Sequence, residues 1–146
     1  MRDGRPSSDV GSTLVEFSLL APIVIFVFLG ILEFGRFYYS RLTLQHAVRE
    51  AARFAVTGNS MEDPDTGDSM SRAESIRQVI LDKAATLHLD VEDVTIDPPD
   101  GGGPSQVVRV TGDFQYDFVT PGIAQMFPGG VYDFSVSTSM KNEPFH

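Results

Sequence analysis

The hydrophobic pattern divides the chain into three parts. From Phe17 to Leu32 every residue is apolar, Gly, Ala or Pro except Ser18, and between Leu14 and Leu32 the single charge is Glu16. At 1.5 Å rise per residue, a helix of about 20 such residues crosses a bilayer core, so this run predicts a membrane anchor. A cleavable secretory signal would be shorter, follow a positive segment and end in a small-residue site. Here Leu32-Glu33-Phe34-Gly35-Arg36 follows instead. A buried core helix would be apolar on all faces, which a domain this small cannot easily enclose. Beyond Arg36 the pattern turns amphipathic. Phe37, Leu44, Val48, Ala51 and Ala55 recur at intervals of three and four and their multiples, with Arg41, Gln45, Arg49, Glu50 and Arg53 off that stripe. No Pro or Gly interrupts residues 36–57. One helix of roughly 40 residues, about 60 Å long, is therefore expected to end at Gly58-Asn59. Phe37-Tyr38-Tyr39 fits an aromatic belt where the anchor leaves the lipid.

In the third part the period changes. Thr57–Met70 is a polar, acidic loop, and Ser71-x-x-Glu74 is a capping box opening a second helix with Ala73, Ile76, Val79, Ile80, Ala84 and Leu87 on its apolar face. That face is expected to cover a sheet. Val91–Ile96 begins the strand region, and Asp97–Pro104 reads as a turn or loop. Val108, Val110, Phe114, Tyr116 and Phe118 alternate with polar residues, Gly112 marking a candidate bulge; Tyr132, Phe134, Val136, Thr138 and Met140 alternate in the same way. The connection 121–130 has room for a turn of helix at Ile123–Phe127. The expected fold class is α+β, a long transmembrane-to-amphipathic helix packed with a second helix on a small antiparallel sheet.

Charge sharpens this division. Of 11 basic and 20 acidic residues in the 146-residue chain, residues 57–146 hold 5 and 15, so the acidity belongs to the C-terminal part. An acidic head argues against binding a nucleic-acid backbone, which needs clustered Lys and Arg. The absence of cysteine removes disulfides, thiolate metal sites and thiol nucleophiles. His46, His88 and His146 show no spacing for a metal or a triad, and there is no phosphate-binding glycine loop or elbow serine. No enzyme, cofactor or small-molecule substrate is expected. Counting Asp63 as the first position of a calcium loop puts Asp65 third and Glu74 twelfth, but the turn glycine is misplaced, so calcium is a weak alternative to a solvated acidic loop. Arg49, Glu50 and Arg53 read as helix-face contacts on a solvated or inter-subunit surface.

Two polar features of the anchor need a purpose. Pro22 lacks an N–H, leaving the Ser18 carbonyl without its usual helical partner. Glu16 places a carboxylate near the start of the span, where charge is costly. The run Gly11-Ser12-Thr13-Leu14-Val15-Glu16 resembles the leader site of type IV pilins and pseudopilins, cut by a prepilin peptidase after the glycine. Three blocks then resemble the TadE-like family of tight-adherence (Tad, or Flp) pilus systems: Val15–Pro22, Gly30–Arg36 and Leu44–Ala55. Met140-Lys141-Asn142-Glu143-Pro144 is similar to the usual close of that family.

The resemblance implies a leader over 1–11, a transmembrane segment over 12–36, its amphipathic extension over 37–57 and an extracytoplasmic head over 58–146. It implies processing between Gly11 and Ser12, with Glu16 pairing with the new amine of Ser12 on a neighbouring subunit, and Pro22, Glu33 and Arg36 serving assembly. The partners implied are the lipid bilayer, the prepilin peptidase, other pilin-like subunits and the inner-membrane assembly machinery. A permanently anchored binding or sensor domain outside the cytoplasm is the alternative. The arginine count favours residues 36–53 on the cytoplasmic side, whereas a prepilin requires the opposite. The leader is the better guide, because those arginines lie in a folded helix with acids nearby.

Overall fold

In the computed structural model, which describes residues 9–63 and 66–144, helix α1 runs unbroken from Asp9 to Val56. Its 48 residues make it about 72 Å long. It begins earlier than the expected Ser12, taking Gly11 into its first turns. Pro22 lies within it without ending it, and the Ser18 hydroxyl donates to the Val15 carbonyl at 2.8 Å. The helix stops where expected: Gly58 adopts φ 71°, the left-handed conformation that glycine closes helices with, and its N–H donates to the Ala55 carbonyl.

Helix α2, Arg72–Lys83, opens on the expected capping box, in which the Ser71 hydroxyl accepts from the Glu74 N–H and the Glu74 carboxylate accepts from the Ser71 N–H. Its face of Ala73, Ile76, Val79 and Ile80 is buried, chiefly against α1 and only at one edge against the sheet. This differs from the expectation that it would cover the sheet. Small side chains decide it: Ala47, Ala51, Ala52 and Ala55 are all fully buried and let the two helices approach closely.

Three strands, β1 (Val94–Asp97), β2 (Val107–Asp117) and β3 (Val131–Lys141), form an antiparallel sheet in sequence order. The register pairs Ile96 with Val110, Val110 with Thr138, Phe114 with Phe134 and Tyr116 with Tyr132. These even-numbered residues form one face, and it packs on α1 through Leu44 and Val48, as the period of two predicted. Gly112 is not a bulge. It pairs in continuous register with Val94 and Val136, and a Cβ there would lie 2.9 Å from Leu44 Cδ1 and 3.1 Å from Val48 Cγ2. The glycine lets the sheet meet the helix where they lie closest.

The loop after β1 is packed rather than loose. Gly101 and Gly102 are buried, and the Asn142 side-chain amide donates to the carbonyls of Gly101, Gly102 and Gly103 at 3.2, 3.3 and 3.0 Å. Arg72 also donates to the Gly102 and Ala55 carbonyls, so it ties α2, this loop and the end of α1 together. Between β2 and β3, a short helix α3 (Pro121–Ala124) and a turn at Pro128–Gly130 fill the expected connection.

Candidate functional site

Below Glu33, α1 is bare. The large apolar side chains from Leu14 to Leu32 are between 40% and 69% exposed, and none of the most apolar 18-residue window is buried. The helix is long and apolar enough to cross a membrane. At its lower end Gly11 has open space around it, and the Ser12 hydroxyl donates to the Glu16 carboxylate at 3.3 Å. Both residues are exposed, and so is Pro22. Residues 1–8 of the expected leader lie outside the described residues.

Glu33 marks the change. Its side chain is 4% exposed, although it directly follows the exposed apolar run. A carboxylate is buried at tolerable cost only when donors surround it. Here the Tyr116 hydroxyl donates to Oε1 at 2.8 Å, the Thr120 hydroxyl and N–H to Oε2 at 2.7 and 2.9 Å, and the Val119 N–H to Oε1 at 3.3 Å. Arg36, one turn later on α1, approaches Oε1 at 3.5 Å and lies 5.7 Å from the Tyr116 ring centroid. Burial and the bond to Glu33 push the Tyr116 phenol up to about 12. The arrangement is a latch, in which one carboxylate of the helix holds the end of β2 and the start of α3.

Aromatic packing surrounds the latch. Phe37 meets Tyr116, Phe134 and Tyr132 edge-on at 5.3, 5.6 and 5.7 Å between ring centres. Phe37 therefore belongs to the head, while Tyr38 and Tyr39 stay exposed where a belt would be. A groove of about 430 Å³ beside the latch is lined mostly by Phe34, Phe37, Phe118, Ile123 and Phe127.

The other candidate residues are not brought together. Arg49 and Arg53 are exposed and Glu50 half-buried on the outer face of α1, and none of the three forms an ion pair within 4 Å among the described residues. Glu74 is committed to its capping box, whose bonds to Ser71 hold its carboxyl below the usual range. The Asp63 carbonyl accepts from the Gly67 N–H at 2.8 Å, and Asp65 is outside the described residues. Among the described residues no cluster of three His, Asp or Glu side chains is placed to hold a metal. Sequence reasoning missed Tyr116, Thr120 and Asn142 as partners of the long helix and the glycine loop. The one available signal was an unusual polar residue, Glu33, at the edge of an apolar run.

Fold and site together define a class: a protein with one long helix, bare and apolar in its lower half and carrying an α+β head on its upper half. Within that class, the family described as TadE-like protein matches residues 11–53, which hold Val15–Pro22, Gly30–Arg36 and all but the last two residues of Leu44–Ala55. Over that segment the chain is similar to the TadE-like family, a likeness that suggests a pilin-like protein associated with the Tad pilus. The match spans the bare half, Glu33 and most of the docking stripe, and stops short of every head residue in the latch. No curated protein and no solved structure matches the chain.

Proposed function

We propose that this protein is a membrane-anchored, pilin-like assembly factor of a Tad pilus, acting by helix packing and not by catalysis. In this reading a prepilin peptidase cuts after Gly11, the bare half of α1 stays in the inner membrane, and the head lies outside the cytoplasm. The observation that carries it is the lower half itself, an apolar helix whose large side chains are exposed, continuous with a half that buries one stripe against the head. The exposed carboxylate of Glu16 fits a role in pairing with the amine of Ser12 on a neighbouring subunit, which would offset the cost of charge in the span. The head is placed by the leader argument. Arg36, Arg41, Arg49 and Arg53 favour the opposite orientation by count, but they lie on the head-bearing half of α1 and fold with it, so the leader outweighs them.

N-terminal sequencing of the membrane-extracted protein tests this reading. A mature chain beginning at Ser12, replaced by one beginning at Met1 in Gly11→Ala, is the expected result. An intact Met1 in wild-type cells that carry pili would overturn it and favour a permanently anchored binding domain.

A further inference from the structure

The connection between β2 and β3 descends along α1 beyond the latch. A Cβ on Gly122 would lie 2.7 Å from Cε2 of Phe26, and Ile123 Cδ1 lies 3.9 Å from the Cβ position of Gly30. Phe26 is seven residues below Glu33, about 10 Å along the axis. The apolar run is bounded by Glu16 and Glu33 and barely spans a bilayer core. Any placement that immerses it puts Phe26, and the loop touching Phe26, below the lipid surface.

The composition of this loop fits that depth. Residues 118–132 contain no charged side chain, although Asp117 and Asp133 flank them in an acidic head. It exposes Val119 at 66% and Met126 at 76%. Backbone at such a depth must satisfy its own hydrogen bonds. The N–H groups of Ile123–Phe127 and Gly130 all donate to carbonyls within the loop, and those of Val119 and Thr120 donate to Glu33. Pro121 and Pro128 have no N–H to satisfy.

We propose that the β2–β3 connection is a second membrane contact, an apolar finger whose Val119 and Met126 enter the acyl region of the leaflet nearest the head. The partner is the lipid surface, and the inference rests on the membrane-anchor reading above. The finger fixes the tilt and rotation of the head against the bilayer, which a single helix cannot do alone.

The cysteine-free chain allows a direct test. Full-length Val24→Cys, Met126→Cys and Ser137→Cys variants each carry one environment-sensitive fluorophore in phosphatidylcholine–phosphatidylglycerol vesicles containing spin-labelled lipid. The expected result is loss of most emission at positions 24 and 126 and none at 137. Quenching at 24 with water-exposed, unquenched emission at 126 overturns the finger and leaves the anchor standing. Blue-shifted but unquenched emission at 126 also overturns it, since protein rather than lipid then covers that position. No quenching at 24 overturns the anchor and the finger with it.

Discussion

Helix α1 meets two surroundings along one continuous backbone. Its lower half offers Phe17, Leu20, Ile23 and Phe28 to the exterior on all sides, each at least 60% exposed. In its upper half Leu44, Ala47, Val48, Ala51 and Ala55 are fully buried beneath α2 and the sheet. Bulk separates them. Large aliphatic and aromatic side chains all round suit a fluid solvent that adapts to them, whereas alanines on one stripe suit a partner of fixed shape. Glu33 stands at the boundary, and all its donors but Arg36 come from the head. The head is therefore held to its helix by a polar latch at one end and by close apolar packing along the rest.

The largest effect should come from the latch. In Glu33→Ala, the Thr120 hydroxyl and N–H lose their acceptor and the Tyr116 hydroxyl keeps only the long bond to the residue 33 carbonyl at 3.3 Å, and each stranded buried donor costs about 1–3 kcal/mol. A fall of more than about 10 °C in the melting temperature of the head is expected, followed by near-ultraviolet circular dichroism of the full chain in detergent micelles. Glu33→Gln keeps the shape but turns one acceptor into a donor, so it should fall between the two. Wild-type melting in Glu33→Ala would break the comparison at its boundary. The latch also has a pH signature. Because the Tyr116 phenol is held at about 12 against an ordinary 10.0, its contribution is complete below pH 10 and is lost as pH rises through about 12. Absorbance titration at 295 nm should show one tyrosine ionising last, and Tyr116→Phe should remove that step.

Much of the dressed half was legible in sequence. Leu44, Val48, Ala51 and Ala55 declared a stripe, Ser71 and Glu74 declared a helix start, and the parity of β2 and β3 declared the buried face. These signals are local, set by the 3.6 and 2.0 periods and by a cap spanning four residues. The latch was not legible, because Glu33 and its partners lie 83 and 87 residues apart and no local pattern encodes that pairing. The Asn142 clamp on Gly101–Gly103 failed for the same reason. Phe37 carried two signals at once, stripe and belt, and only packing against Tyr116 and Phe134 decides between them. Gly112 was ambiguous in kind: a strand glycine marks either a bulge or a close approach.

That ambiguity gives the next prediction. In Gly112→Ala the new methyl meets Leu44 and Val48, both fully buried, so these side chains must shift within a packed core. Overpacking costs about 1–3 kcal/mol and outweighs the gain of about 0.4–1 kcal/mol from stiffening the unfolded chain. The head should melt several degrees lower, with further loss in Gly112→Val. A neutral or stabilising Gly112→Ala would mean that helix and sheet are less tightly apposed than the dressed half requires.

The smallest expected effect tests the bare half. Leu20 is 60% exposed, whereas Leu44 is fully buried, and both sit on the same helix. Leu44→Ala removes a core side chain and should cost about 2–5 kcal/mol of head stability. Leu20→Ala should leave the head melt unchanged within about 0.5 kcal/mol, as for any exposed position away from a packed feature. If both substitutions lower the melt alike, the bare half folds against the head in solution, and the division at Glu33 fails. If the melt separates them and Leu20→Ala alone reduces pilus formation, the lower half has partners supplied only by assembly. Its exposed side chains are then an interface awaiting other subunits, and not merely a lipid anchor.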